Sequence, residues 1–550
     1  MPEKGAPGEK KGGNLLTGRK ISWLTAATAL AVRAVFALAA GNSCFVNYHL
    51  VRGLDMQTLL RVSEWFGKDA LPAFFTFHRL MIFLIWRLNG GNHCVWAIFA
   101  VQSAVGILGT VCIADIVRRL TGRRTVALLC GIAAALYLPS LVYEFSVLKE
   151  AFAVNFSLFA FWSMLYAMRR RFSWGSAALT GAACFMAVEG RLAVVPYLAA
   201  IMGYVLWKMY RRGKAARVLR TVAVTAVLLA AASGFNRANG GKVSPFFDVL
   251  DYNMMYNFSP EASFRGEARE DEEIGTGRAA GKTASSAMLR APRLFKSGEL
   301  PENQNIYFWC EKIPQLHLLI APGALLPCAC AGIMVLLCSG AWKGRYGLLL
   351  LPLLTLTLPL CVREPIGRYR LMLVPYFFMS AACGAAVFAG IRSAPKRAVA
   401  LLGAGVGAFF SIHGGEAPLR IRPSDHCAWA MALEETPGAE KEEIVKAYLN
   451  YWHAGTPPSK RAFIVVMDKL LAAGTLETAL ETAKEGDDAG IDPDLTAYFR
   501  AWCFALAEQP AAVDGFLRTV RHPENLPPEL QKKYLMLRRD TDRILNIRRK

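Results

Sequence analysis

Of 550 residues, 54% are hydrophobic and only 19% charged, and the mean hydropathy is +0.30, a composition that excludes an ordinary soluble protein of this length. The formal net charge of +21 would suggest nucleic acid on a soluble chain. Here Lys and Arg instead crowd the N-terminal tail and alternate loops between apolar runs, the distribution that retention of positive charge in the cytosol produces, so no nucleic acid is expected as a partner.

Taken in chain order, residues 1–20 form a Lys- and Gly-rich stretch that reads as a disordered cytoplasmic tail, with no cleavable signal evident. Residues 21–412 then carry about eleven apolar runs long enough to span hydrocarbon as helices. They fall at 21–40, 95–117, 125–142, 151–168, 174–190, 193–209, 219–235, 316–338, 346–362, 371–391 and 398–412. The run at 73–88 contains His78, Arg79 and Arg87 and suits a helix lying in the interface rather than crossing it. Basic loops at 118–124, 169–171, 208–220, 343–345 and 392–397 mark the cytoplasmic side. An odd number of spans puts the N-terminus inside and residues 413–550 outside, as expected for a bacterial inner-membrane protein. No repeat between the two halves is read.

The intervening outer loops, chiefly 41–94 and 236–315, hold the unusual chemistry. Asp55 follows the first span. Glu144 and Glu150 flank the turn before the fourth, and Glu189-Gly190-Arg191 sits in a turn too short to leave the membrane surface. Arg363, Arg368 and Arg370 gather on the side that the charge rule keeps free of arginine, as expected where a lipid phosphate must be bound. Ionisable groups at the edge of hydrocarbon are costly to desolvate, so such a cluster points to a reaction site. Each residue has a plainer reading. Asp55 would cap a helix, Glu144 and Glu150 would be solvated acids at helix ends, and Arg191 would neutralise Glu189 or snorkel. His49 and His78 each stand alone and read as surface histidines. The acidic run 270–273 reads as a solvated part of a mobile flap.

Thirteen cysteines are scattered, many inside the spans, and none shows zinc spacing. Cys44 and Cys94 bracket the first outer loop and would be able to pair in an oxidising compartment.

The order of these pieces, with an acid in the first outer loop, acids after span three, Arg191-x-x-x-x-Pro196 and Gly367-Arg368-Tyr369-Arg370-x-x-x-x-Pro375, resembles the GT-C superfamily. These are polytopic glycosyltransferases that use polyprenyl-phosphate sugars, and the resemblance covers about residues 20–410. It implies an all-α membrane domain with Asp55 as the base that deprotonates an acceptor hydroxyl, and Glu150 or Glu144 as a second acid. Arg368, Arg370, Arg191 and Tyr369 would hold the donor phosphate. Glu299 and Asn305, in Glu299-Leu300-Pro301-Glu302-Asn303-Gln304-Asn305, resemble a loop segment of some bacterial members and are acceptor or loop candidates. The acceptor would be a glycan, lipid or protein. Some relatives bind a divalent metal between acids and others do not, which leaves a metal open here. The family's Tyr four residues after the acid is Leu59 in this chain, and Leu71 stands before Pro72 where a small residue or His is usual. A lipid-linked glycan polymerase or ligase, or a non-enzymatic transporter or scaffold, is the alternative class.

After 413–425, which reads as a linker, residues 426–550 change to short amphipathic helices separated by Gly, Asp-Pro and Pro-Pro turns. The pattern is that of a degenerate tetratricopeptide-like array on the outer face, fit for a protein partner.

Overall fold

The computed structural model describes residues 17–51, 54–64, 77–238, 291–298, 304–362, 367–413, 421–455 and 459–549. The described residues are all-helical, with one isolated bridge between extended residues. Glu299, Arg363, Leu71, Pro72 and the acidic run 270–273 lie outside them. Five described helical segments are long and apolar enough to cross a bilayer: Gly18–Gly41, Val95–Thr121, Glu150–Arg169, Ala216–Gly234 and Gly367–Phe388. The chain divides into two compact units, Met1–His49 with Gly53–Pro418, and Leu50–Arg52 with Leu419–Lys550.

In the first unit, α1 (Gly18–Gly41) begins three residues before the expected span because Thr17 caps it, accepting the N–H of Lys20. It is followed by α2 (Asp55–Glu64), α3 (Phe77–Leu88) and α4 (Val95–Thr121), the last closed by Gly122 in the left-handed conformation at φ 75°. The expected third span is broken into α5 (Arg124–Ala135) and α6 (Leu138–Glu144). Pro139 at the start of α6 cannot continue the preceding helix. The backbone freed at the break is met from far along the chain: Leu138 N–H donates to Ile320 O at 3.0 Å and Ile320 N–H to Leu136 O at 2.9 Å. Next come α7 (Glu150–Arg169), α8 (Trp174–Gly190), α9 (Val195–Tyr210) and α10 (Ala216–Ala238).

After the undescribed stretch come α11 (Ile306–Lys312), α12 (Pro322–Cys338), α13 (Gly347–Val362), α14 (Gly367–Arg370), α15 (Val374–Phe388) and α16 (Ala394–Ile412). Apolar helices gain little from the hydrophobic effect inside lipid and associate through close packing at small residues. The crossing of α12 and α15 depends on this: a Cβ at Gly384 would lie 2.4 Å from the Cα of Gly332.

The second unit contains α17 (Pro423–Glu434), α18 (Lys441–Ala454), α19 (Lys460–Ala473), α20 (Leu476–Asp488), α21 (Pro493–Leu506), α22 (Pro510–Thr519) and α23 (Pro528–Arg549). Each packs on the next, and Tyr448, Trp452, Phe463, Met467, Leu495 and Phe499 form its buried core. The buried Asp494 carboxylate accepts the N–H groups of Arg521 and His522 at 2.8 and 2.9 Å, tying the start of α21 to the turn after α22.

Candidate functional site

Asp55 opens α2 and Arg368 lies in α14, 313 residues apart in sequence, yet Arg368 Nη1 donates to Asp55 Oδ2 at 2.6 Å. The Arg368 side chain is 14% exposed and that of Asp55 53%, so the pair sits at an open edge of the bundle. Arg368 Nη2 also donates to the Tyr369 hydroxyl at 3.2 Å. The other guanidinium on that ring is Arg191, with Cζ 4.2 Å from the centroid, close enough for a cation–π contact. Arg191 in turn donates to Glu150 Oε1 at 3.0 Å, and both are buried. Arg368 is near enough to Glu150 to act on its charge. The result is one continuous line of Asp55, Arg368, Tyr369, Arg191 and Glu150.

The remaining candidates go elsewhere. Glu144 makes a two-pronged ion pair with Arg33 of α1, with Nε to Oε2 and Nη2 to Oε1 both at 2.6 Å. Gly106 allows this, because a Cβ there would fall 2.1 Å from Glu144 Oε1 and 2.6 Å from Arg33 Nη2. Arg33, Glu144 and Glu150 line a cavity of about 40 Å³ together with Asn155, Tyr143 and Thr110, a volume that suits two or three waters. The buried Arg370 donates to the carbonyls of Lys296 and Gly298 at 2.7 and 2.8 Å and so holds the described segment 291–298. Lys296 binds the carbonyls of Phe410 and His413 at the end of α16. Asn305 caps α11, accepting the N–H groups of Tyr307 and Phe308 at 3.0 and 3.4 Å.

Three sequence expectations are corrected. His78 and His49 are buried rather than on the surface. His78 packs against Phe152 with ring centroids 5.6 Å apart, within electrostatic reach of Glu150, and burial pushes its imidazolium down to about 4, so it is neutral at pH 7. Burial likewise lowers His49, against the opposing effect of the Val46 carbonyl. Second, Cys44 and Cys94 are both thiols, with no disulfide between them. Third, the halves do share a short repeat. Arg191-Leu192-Ala193-Val194-Val195-Pro196-Tyr197 and Arg370-Leu371-Met372-Leu373-Val374-Pro375-Tyr376 match at Arg, Leu, Val, Pro and Tyr.

Each copy of the repeat folds as a 3-10 turn leading into a Pro-started helix. The two tyrosines meet in the core: Tyr376 donates to the Tyr197 hydroxyl at 2.6 Å, and Tyr197 to Ser157 O at 3.2 Å. Repeated spacing of Arg, Val-Pro and Tyr was the signal available in the sequence.

Asp55, Glu144 and Glu150 each face a different arginine, and among the described residues no three His, Cys, Asp or Glu side chains gather as metal ligands would. Comparison with family models, with curated proteins and with solved structures gives no match.

Proposed function

We propose that the chain is a GT-C-like membrane glycosyltransferase that moves a sugar from a polyprenyl-phosphate donor to an acceptor hydroxyl at the non-cytoplasmic face. The observation that carries this reading is the contact of Asp55 with Arg368, a carboxylate and a guanidinium from opposite ends of the unit, joined through Tyr369 to Arg191 and Glu150. A transfer of this kind needs an acceptor for the hydroxyl proton beside cations for the departing phosphate. In this reading the helices occupying 18–412 make eleven crossings. Residues 426–550 then form a tetratricopeptide-like unit outside that recruits a protein partner.

The pair suggests how binding and chemistry are linked. At rest Asp55 Oδ2 accepts from Arg368. A donor phosphate, which offers Arg the same two-pronged geometry as a carboxylate, takes over Arg368 and frees Asp55. The Asp55 carboxylate then takes the proton of the acceptor hydroxyl as its oxygen bonds to the anomeric carbon. The bond from that carbon to the phosphate oxygen breaks, and its electron pair leaves with the polyprenyl phosphate. Arg368 stabilises the charge released there, and Arg191, held by Glu150 and the Tyr369 face, adds to it. A single displacement inverts the anomeric centre.

Purified protein incubated with a panel of polyprenyl-phosphate sugars tests the assignment. Asp55→Asn and Arg368→Ala should each lower transfer by about 100-fold or more with the fold intact. Unchanged turnover in both folded variants would overturn it.

A further inference from the structure

The last helix, α23, has two opposite stripes. Leu530, Tyr534, Leu537 and Thr541 are buried against the second unit. Their spacing of four, three and four residues keeps them on one helical face. Shifting that pattern by two residues, about 200° around the helix, gives Lys532, Met536, Arg539 and Arg543, and Ile547 follows one turn further on; all five are exposed. Met536 and Ile547 are 45% and 66% exposed, and flanking Leu535 and Ile544 are 64% and 45%. Three basic residues and two large apolar ones thus share the outward stripe. Three exposed acids border the stripe: Glu529 one turn before Lys532, Asp540 beside Arg539 at 3.9 Å, and Asp542 next to Arg543.

Met536 and Ile547 lie on the stripe itself, with Leu535 and Ile544 on its two opposite flanks; a solvated helix face has no need of such exposed apolar side chains, and a purely apolar docking face would not carry three cations among them. A layer with an apolar interior and an anionic rim satisfies both, because the apolar side chains enter the acyl boundary while Lys and Arg stems lie along it with their charges at headgroup level. We propose that the outward face of α23 docks on an anionic lipid headgroup surface, supplied by the bilayer that the apolar helices of the same chain occupy. This assignment stands apart from the glycosyltransferase reading and holds on either side of the membrane. Each Lys or Arg brought to such a surface strengthens binding by about fivefold.

The test is amide hydrogen exchange on the full-length chain in nanodiscs of phosphatidylcholine, compared with discs in which phosphatidylglycerol replaces part of it. Exchange across 528–549 should slow by about tenfold or more in the anionic discs. The slowing should fade as salt is raised, and Lys532→Gln/Arg539→Gln/Arg543→Gln should abolish it while exchange in 441–506 stays native. Equal exchange in both disc types, or slowing that survives the triple substitution, would overturn the proposal. Slowing that needs an added acidic peptide and ignores lipid charge would also overturn it and assign the face to a protein.

Discussion

Removing Glu144 tests whether the Arg33 ion pair is held by its partner rather than by its surroundings. The two contacts are 2.6 Å each, with side chains 4% and 3% exposed. With about 4 Å between charge centres and an effective dielectric of about 20, their attraction is about 4 kcal/mol. That is similar in size to the cost of taking both ions out of water, so the pair adds little net stability while each partner alone would be expensive. Glu144→Leu leaves the guanidinium buried with the Ala29 carbonyl at 3.2 Å and should destabilise by about 3–5 kcal/mol. Arg33→Met should cost a similar amount by stranding the carboxylate. The double variant should return to within about 1 kcal/mol of native, a coupling of several kcal/mol. Unfolding in mixed micelles followed by tryptophan fluorescence reads all four proteins. Single losses below about 1 kcal/mol, or a double variant equal to the sum of the singles, would refute the reasoning.

Gly106→Ala should lower stability by about 2 kcal/mol in the same assay, because the clash with Glu144 and Arg33 outweighs the roughly 1 kcal/mol that alanine gains in a helix. The tyrosine relay predicts an asymmetry. Tyr197→Phe strands the Tyr376 hydroxyl and should cost about 2 kcal/mol, whereas Tyr376→Phe removes only a donor and should cost about 1 kcal/mol; equal losses would count against the direction of the relay. In the second unit, Asp492 caps α21 and binds Lys460 at 3.0 Å, and Asp492→Ala should cost about 1 kcal/mol at pH 7. Burial raises the Asp492 carboxyl, but the Lys460 ammonium and the Asp494 N–H outweigh it and hold it below the usual range. The depressed group stabilises above its free value of 3.8, so denaturant midpoints for native and variant should converge as pH falls through the lowered folded value.

Helix positions were largely legible in the sequence because apolar length and turn residues are local signals: Glu150–Arg169 and Trp174–Gly190 lie within one residue of the runs expected at 151–168 and 174–190. The break at Leu136–Tyr137 was not. Pro139 was a local hint inside an otherwise apolar run, but the partner that makes a break tolerable, Ile320, is remote in sequence. At the site, the Asp55–Arg368 meeting followed from the order of motifs, whereas the partner of Glu144 did not, since Arg33 lies 111 residues away inside a span. His78 read as exposed because a charged neighbour, Arg79, suggested an interface. Both are in fact buried.

The two hydrogen bonds that Ile320 makes with Leu136 and Leu138 give the order of synthesis a physical meaning. Until the ribosome has delivered the segment ahead of Pro322, the gap between α5 and α6 lacks these backbone partners. A nascent chain stopped after Ala238 would therefore carry an unsealed seam. Maturation is complete only when the second half of the translation product closes it.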